Sequence, residues 1–193
     1  IIRNFEANAF EITLDNILSH TCQFFKINDK GHPYALGSGV FIEIENDFYL
    51  ITAAHVWDED DIFVWYENIR LDINKETYPK YFKSPIKNGN RIADTIDIAV
   101  VDIPKEYALL LQNEFEVHFL PYSNIETNYS ADSNEEIPSL VVCGFAATKS
   151  KWNSQHKSMT TIPFLLRTSP KEINKDLYQL KGYKKHENIF LSW

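Results

Sequence analysis

Cysteine is scarce in this sequence, and its placement excludes two classes of small protein. The 193 residues include two cysteines, Cys22 and Cys143, which lie far apart and show neither a CxxC pattern nor histidines at metal-ligand spacing. A disulfide-rich secreted scaffold and a cysteine-ligated zinc module are therefore excluded. Two unpaired thiols are typical of a reducing compartment, so we expect a cytoplasmic protein.

Positive charge and long apolar runs are scarce as well. The formal net charge is -8, and an average of this sign repels DNA and RNA. The densest basic run, at Lys181, Lys184 and Lys185, is typical of a solvated strand end rather than a nucleic-acid patch. No secretory signal is visible, and no apolar run is long enough to span a bilayer. We therefore expect neither a nucleic acid nor a membrane as a partner.

Apolar residues are plentiful, and their spacing favours β-strands. Hydrophobic residues make up 44% of the chain and aromatic residues 14%, which is enough to fill a core. The pattern has a period of two or occurs in short β-branched and aromatic runs separated by Asn, Asp, Gly and Pro. This predicts an all-β fold of barrel or sandwich type. The predicted strands are 20–27, 39–45, 48–52, 62–66, 69–73, 97–103, 116–120, 139–145, 160–168, 177–181 and 188–193.

Three segments interrupt the strand pattern. We expect the N-terminal segment 1–19 to contain a helix, over about 2–18. A second helix is predicted over 105–113, because Pro104 is well suited to a helix start. The stretch 124–136 is rich in Asn, Ser, Asp and Glu and is the best candidate for a linker. The chain then divides into a first domain at 20–123 and a second at 137–193.

The stretch from Gly37 to Val56 ends in a histidine that is well placed for chemistry. A strand, a turn and a return strand lead into Thr52-Ala53-Ala54-His55. A base at the end of a rigid strand is held in position by packing, as proton transfer requires. The other histidines show no metal-ligand spacing, so we expect no metal and no other cofactor.

Three aspartates, Asp94, Asp97 and Asp102, lie at or near the most apolar strand and compete for one role, and the family resemblance given below selects Asp97. Asp97 directly precedes Ile98-Ala99-Val100-Val101. A carboxylate at the edge of a core needs hydrogen-bond donors, and an imidazole is a natural donor. Such a carboxylate fixes the tautomer of the histidine and stabilises the imidazolium that forms when the histidine takes a proton.

These stretches together resemble the chymotrypsin-like serine peptidases, in particular their bacterial trypsin-like members. The resemblance is carried by Gly37-Ser38-Gly39-Val40, Thr52-Ala53-Ala54-His55-Val56 and Asp97-Ile98-Ala99-Val100, in that order and at a separation ordinary for the family. It implies two antiparallel β-barrels, the first at 20–123. It also implies that His55 is the general base and Asp97 the carboxylate that orients it.

The nucleophile motif of this family is absent from the sequence. Family members carry the nucleophilic serine in a tight Gly-x-Ser-Gly-Gly turn, whose backbone N–H groups also form the oxyanion hole. Here the last of six glycines is Gly182, and no serine occupies such a turn. We therefore expect the serine to lie on polypeptide beyond Trp193, and the second barrel, 137–193, to be incomplete.

Two other residues invite a nucleophile interpretation. Ser38 lies between two glycines, but small residues at that point of a strand are typical of close backbone approach. Cys143 precedes Gly144, as the cysteine does in some viral peptidases of this fold, but Val141 and Val142 before it predict the middle of a strand. We expect neither to be the nucleophile.

The sequence thus predicts a serine endopeptidase acting on peptides or proteins through His55, Asp97 and a serine from outside this chain. The serine would reside on continuing chain or on a separate C-terminal fragment produced by self-cleavage, which would then be a partner. The alternative, from a different class, is a catalytically inactive peptidase-fold module that binds another protein.

Overall fold

The computed structural model describes residues 16–66, 69–73, 75–86, 96–125, 140–145, 150–155, 158–161 and 163–168. These ranges are mostly β-strand, in agreement with the all-β prediction. In chain order the strands are β1 (Thr21–Ile27), β2 (Pro33–Ile44), β3 (Asp47–Thr52), β4 (Phe63–Tyr66), β5 (Ile69–Asp72), β6 (Tyr81–Lys83), β7 (Ala99–Ile103), β8 (Leu120–Pro121), β9 (Leu140–Phe145), β10 (Lys151–Asn153), β11 (Ser158–Thr160) and β12 (Pro163–Thr168). Helices within the same ranges are α1 (Ala54–Asp58) and α2 (Lys105–Phe115), with a 3₁₀ turn at Tyr122–Asn124 and helical residues at 16–19.

An eight-stranded sheet contains the first eight strands. Its hydrogen-bonded order is β5-β4-β1-β2-β3-β7-β6, with antiparallel neighbours, and β8 pairs in parallel with β2. The remaining strands pair as β10 with β11 and β9 with β12.

The two end strands of the sheet, β5 and β6, follow each other in the chain. The N–H of Ile73 donates to the carbonyl of Ile62 at 3.0 Å, which prolongs the pairing of β5 with β4. The N–H of Asp102 donates to the carbonyl of Lys80 at 2.9 Å, which prolongs the pairing of β6 with β7. The two end strands are thus consecutive in the chain, and within the described ranges no hydrogen-bonded ladder between β5 and β6 closes the sheet.

The core lies on the inner face of this sheet. β3 and β7 alternate between buried and half-buried residues, as a strand with one buried face must. Leu50 pairs with Val101 and Phe48 with Ile103, and all four side chains are buried. Burial of each such side chain contributes about 1.5–3 kcal/mol, so the pairing of β3 with β7 is strongly specified.

Two of the predicted strands differ most in extent from the observed ones. β2 begins at Pro33 rather than at 39, because its first residues pair with β1 up to Ile27, and Pro is tolerated at the first residue of a strand. The predicted strand 116–120 is wrong over most of its length, since only Leu120–Pro121 pairs with the sheet. Its alternation of apolar residues is real, but Glu116 has a left-handed backbone with φ of 52° that ends α2 and turns the chain.

Four short elements were not predicted from the sequence. They are α1, β6, β10 and β11. Each has five residues or fewer, and strands of this length depend on their pairing partner rather than on their own pattern. The strand predicted over 160–168 was too long at its start, because β12 begins at Pro163 and Thr160 belongs to β11.

The helix predicted over 105–113 is confirmed and ends two residues later, at Phe115. The helix predicted over 2–18 is described only from residue 16, and 16–19 are helical. Most of the predicted linker 124–136, and the predicted strands 177–181 and 188–193, lie outside the described residues.

The chain divides into two compact units. The described residues up to Ile125, together with those between 144 and 164, form the first. The second contains the described residues 140–143 and 165–168. His55 and Asp97 both lie in the first unit.

Candidate active site

The pairing of β3 with β7 brings His55 and Asp97 together. Thr52, the last residue of β3, pairs with Ala99, the first residue of β7. Because the strands are antiparallel, β3 ends where β7 begins. The residues just after β3 and those just before β7 therefore lie side by side. His55 follows Thr52 by three positions and Asp97 precedes Ala99 by two, so two residues far apart in sequence meet there.

Both oxygens of the Asp97 carboxylate bind His55. The backbone N–H of His55 donates to Oδ1 at 2.9 Å. Nδ1 of the imidazole lies 2.5 Å from Oδ2. One contact is to the backbone and the other to the ring, so the carboxylate fixes both the position of the residue and the orientation of its side chain.

This arrangement selects one tautomer of the neutral histidine. A carboxylate only accepts hydrogen bonds, so the proton is on Nδ1 and Nε2 has a free lone pair. The His55 side chain is 57% exposed and that of Asp97 32% exposed. Among the described residues, no hydrogen bond to Nε2 is formed, so this nitrogen is available to take a proton from a group that approaches from solvent.

Packing of α1 on β2 fixes the position of His55, which lies in that helix. A Cβ atom on Gly37 would lie 2.7 Å from Cγ2 of Val56, which is too close for a side chain, so only glycine allows α1 to pack there. The N–H groups of Val56 and Trp57 both donate to the carbonyl of Ala53, at 3.0 and 3.2 Å, and close the turn. Gly37 in β2 and the turn that begins at Ala53 therefore fix the position of the histidine.

A serine that sequence analysis did not single out holds the residue after Asp97. The N–H of Ser84 donates to the carbonyl of Ile98 at 2.8 Å, and the N–H of Ile98 donates to Oγ of Ser84 at 3.2 Å. Ser84 is 4% exposed, so these bonds are protected from water. No sequence signal marks this serine, because its role follows from the pairing of β6 with β7.

The far end of α1 is held by charge. Nζ of Lys83 on β6 forms an ion pair with Oδ1 of Asp58, the last residue of the helix. Nζ of Lys75 donates to the carbonyl of Asp58 at 3.2 Å and to Oδ1 of Asp60 at 3.0 Å. The contact with Lys75 lowers the pKa of the Asp60 carboxyl.

Among the described contacts, Ser38 has no hydrogen bond to His55. Oγ of Ser38 accepts the N–H of Phe145 at 2.8 Å, and its carbonyl accepts the hydroxyl of Thr52 at 2.8 Å. Ser38 therefore joins backbone segments. Cys143 lies within β9. The other thiol, Cys22, is free and buried, and burial raises its pKa far above the ordinary value, so it is unreactive.

The described part of the chain contains no group of three or more His, Cys, Asp and Glu side chains arranged as metal ligands. Within the same part, no helix combines the length and apolar character needed to cross a membrane. No protein-family model, curated protein or solved structure matches the chain.

Proposed function

We propose that this chain carries the general base and the orienting carboxylate of a serine endopeptidase. The observation that carries the proposal is the double contact between Asp97 and His55, with Nδ1 bound to the carboxylate and Nε2 open to solvent. A histidine held in this way is suited to take a proton from a hydroxyl nucleophile. The nucleophilic serine is supplied by polypeptide outside these 193 residues.

The reaction would proceed in two stages. Nε2 of His55 takes the proton of the serine hydroxyl as its Oγ attacks the peptide carbonyl, and the imidazolium then gives that proton to the leaving amine. Asp97 stabilises the imidazolium by accepting Nδ1–H and does not itself become protonated. Water repeats the sequence in the second stage and releases the acyl group. The oxyanion hole is built by the segment that carries the serine.

The order of strands supports a chymotrypsin-like architecture for the first domain. The end strands of the sheet, β5 and β6, are consecutive in the chain, as two neighbouring strands of an antiparallel barrel would be. The histidine follows β3 and the aspartate precedes β7, the positions that the resemblance assigned to them. We propose that β9 and β12 belong to a second barrel.

The alternative is a peptidase-fold module that binds another protein without turnover. The observation in its favour is that no serine, threonine or cysteine side chain among the described residues forms a hydrogen bond with Nε2 of His55. The two functions differ in a single respect that can be measured, which is covalent reaction at a serine.

Reaction of the full-length gene product with a fluorophosphonate probe tests the proposal. We expect one adduct, located by mass spectrometry on a serine in a Gly-x-Ser-Gly-Gly turn outside 1–193. His55→Ala should abolish it, because the serine then has no base. The matched control is His32→Ala, which removes an exposed imidazole far along the chain from the site and should leave labelling unchanged. Failure of the folded, full-length protein to form an adduct would favour the binding module.

A further inference from the structure

The Asp97 carboxylate depends on the backbone next to it for its position. In the described part of the chain only His55 donates hydrogen bonds to this carboxylate, through its backbone N–H and through Nδ1. Asp97 lies before β7, whose pairing begins at Ala99, and its side chain is 32% exposed. The residue that carries the carboxylate is therefore outside the sheet ladder, and the chain at this point needs another contact to fix it.

Ser84 provides this contact at the next residue. The N–H of Ser84 donates to the carbonyl of Ile98 at 2.8 Å, and the N–H of Ile98 donates to Oγ of Ser84 at 3.2 Å. The N–H of Ile98 belongs to the planar peptide group that starts at the Cα of Asp97. Oγ of Ser84 therefore fixes the orientation of the peptide plane attached to that Cα. Because Ser84 is 4% exposed, water cannot replace Oγ as the acceptor.

The residues just before Ser84 contact the helix that carries His55. The ring of Tyr81 packs edge-on against the ring of Trp57 in α1, with 5.6 Å between their centroids. Nζ of Lys83 forms an ion pair with Oδ1 of Asp58, the last residue of α1. The short segment 81–84 thus contacts both the helix of the candidate base and the peptide group next to the candidate carboxylate.

We infer that Ser84 is a positioning residue for the His55–Asp97 pair. Its Oγ holds the peptide group after Asp97 so that both carboxylate oxygens reach His55 at once. A role in sheet pairing alone does not require this side chain, because any residue at position 84 forms the backbone bond to the carbonyl of Ile98. The consequence for catalysis rests on the proposed peptidase function, whereas the consequence for the geometry of the pair does not.

The variant Ser84→Ala tests the inference in the full-length gene product. It keeps the backbone bond and removes Oγ, which leaves the buried N–H of Ile98 without its acceptor. We expect fluorophosphonate labelling to slow about tenfold, the ratio that corresponds to 1.4 kcal/mol. We also expect the proton of the neutral His55 ring to lose part of its preference for Nδ1, as measured by long-range proton–nitrogen correlations. A loss of stability alone would not change this tautomer in a protein that remains folded.

The variant Thr21→Val is the matched control. Oγ1 of Thr21 is part-buried and donates to the carbonyl of Leu18 at 3.0 Å, and Thr21 lies in β1, which pairs with neither β3 nor β7. Its loss should lower the urea midpoint and leave the tautomer of His55 and the labelling rate unchanged.

The variant Ser84→Cys replaces the oxygen by sulfur, a weaker acceptor. Its tautomer and labelling rate should lie between those of the unaltered protein and Ser84→Ala. It serves as the test by itself if the alanine variant does not fold.

A tautomer in the folded Ser84 variants equal to that of the unaltered protein would overturn the inference. An equal change in Thr21→Val would overturn it as well, because the effect would then follow from stability in general. A change confined to the Ser84 variants, in a full-length protein that forms no adduct at all, would support the positioning role and contradict the proposed peptidase function.

Discussion

The two ends of helix α1 are held by different kinds of contact between side chains. At the N-terminal end His55 binds Asp97, and the histidine side chain is 57% exposed with one nitrogen unused. At the C-terminal end Asp58 binds Lys83, the two side chains are 28% and 33% exposed, and the pair joins the helix to β6. The first pair leaves a reactive atom open to solvent, whereas the second consumes both of its charges in fixing a helix. The difference between the two contacts is therefore whether one of the partners keeps an atom that is free to react.

The largest difference between the two ends of α1 is expected when the charge of Asp97 or of Asp58 is removed. We expect Asp97→Asn to slow fluorophosphonate labelling of the full-length protein by about 10⁴, since the wrong tautomer of His55 is then favoured. Asp58→Asn should slow it by less than about tenfold, because exposed and half-exposed pairs contribute little. The measurement is the second-order labelling rate of both variants. Equal effects would remove the distinction between the two ends.

We expect the packing of Gly37 against Val56 to contribute more than charge to the position of the N-terminal end of α1. We expect Gly37→Ala to lower the free energy of unfolding by about 1–3 kcal/mol, because its Cβ would overlap Val56. Urea denaturation of Gly37→Ala, Val56→Ala and the double variant measures this. The double variant should lose less than the sum of the single ones, since the shorter side chain makes room. Strict additivity would show that the clash is relieved elsewhere.

The smallest effect is expected at the C-terminal end. Lys83→Met should reduce the free energy of unfolding by about 1 kcal/mol or less, as partly exposed ion pairs do. Lys80→Met is the control, because Nζ of Lys80 is 3.9 Å from Asp102 and its side chain is 83% exposed. Its unfolding midpoint should not move. A loss at Lys83 well above 2 kcal/mol would indicate a buried, essential pair, contrary to the comparison.

Much of the sheet could be predicted from the sequence because its strands have their own patterns. The runs in β1, β3, β4 and β7 are apolar enough to be recognised without their partners. β6 has three residues, Tyr81-Phe82-Lys83, and is a strand only because β7 provides the hydrogen bonds. The residues 116–119 show the converse, an alternating pattern that does not form a strand.

The two residues of the candidate site could be predicted from the sequence, but the residues that surround and hold them could not. His55 and Asp97 stood out because the strands next to them were recognisable. Ser84 could not be found, since a serine in a short polar segment carries no signal of its own.

The nitrogen NMR spectrum of the His55 ring tests most directly whether this histidine is held as a base. At a pH where the imidazole is neutral, long-range proton–nitrogen correlations distinguish a protonated ring nitrogen from an unprotonated one. Our account predicts the proton on Nδ1 and a free lone pair on Nε2, with loss of this preference in Asp97→Asn. A His55 with its proton on Nε2, or with a tautomer unaffected by Asp97→Asn, would contradict the account.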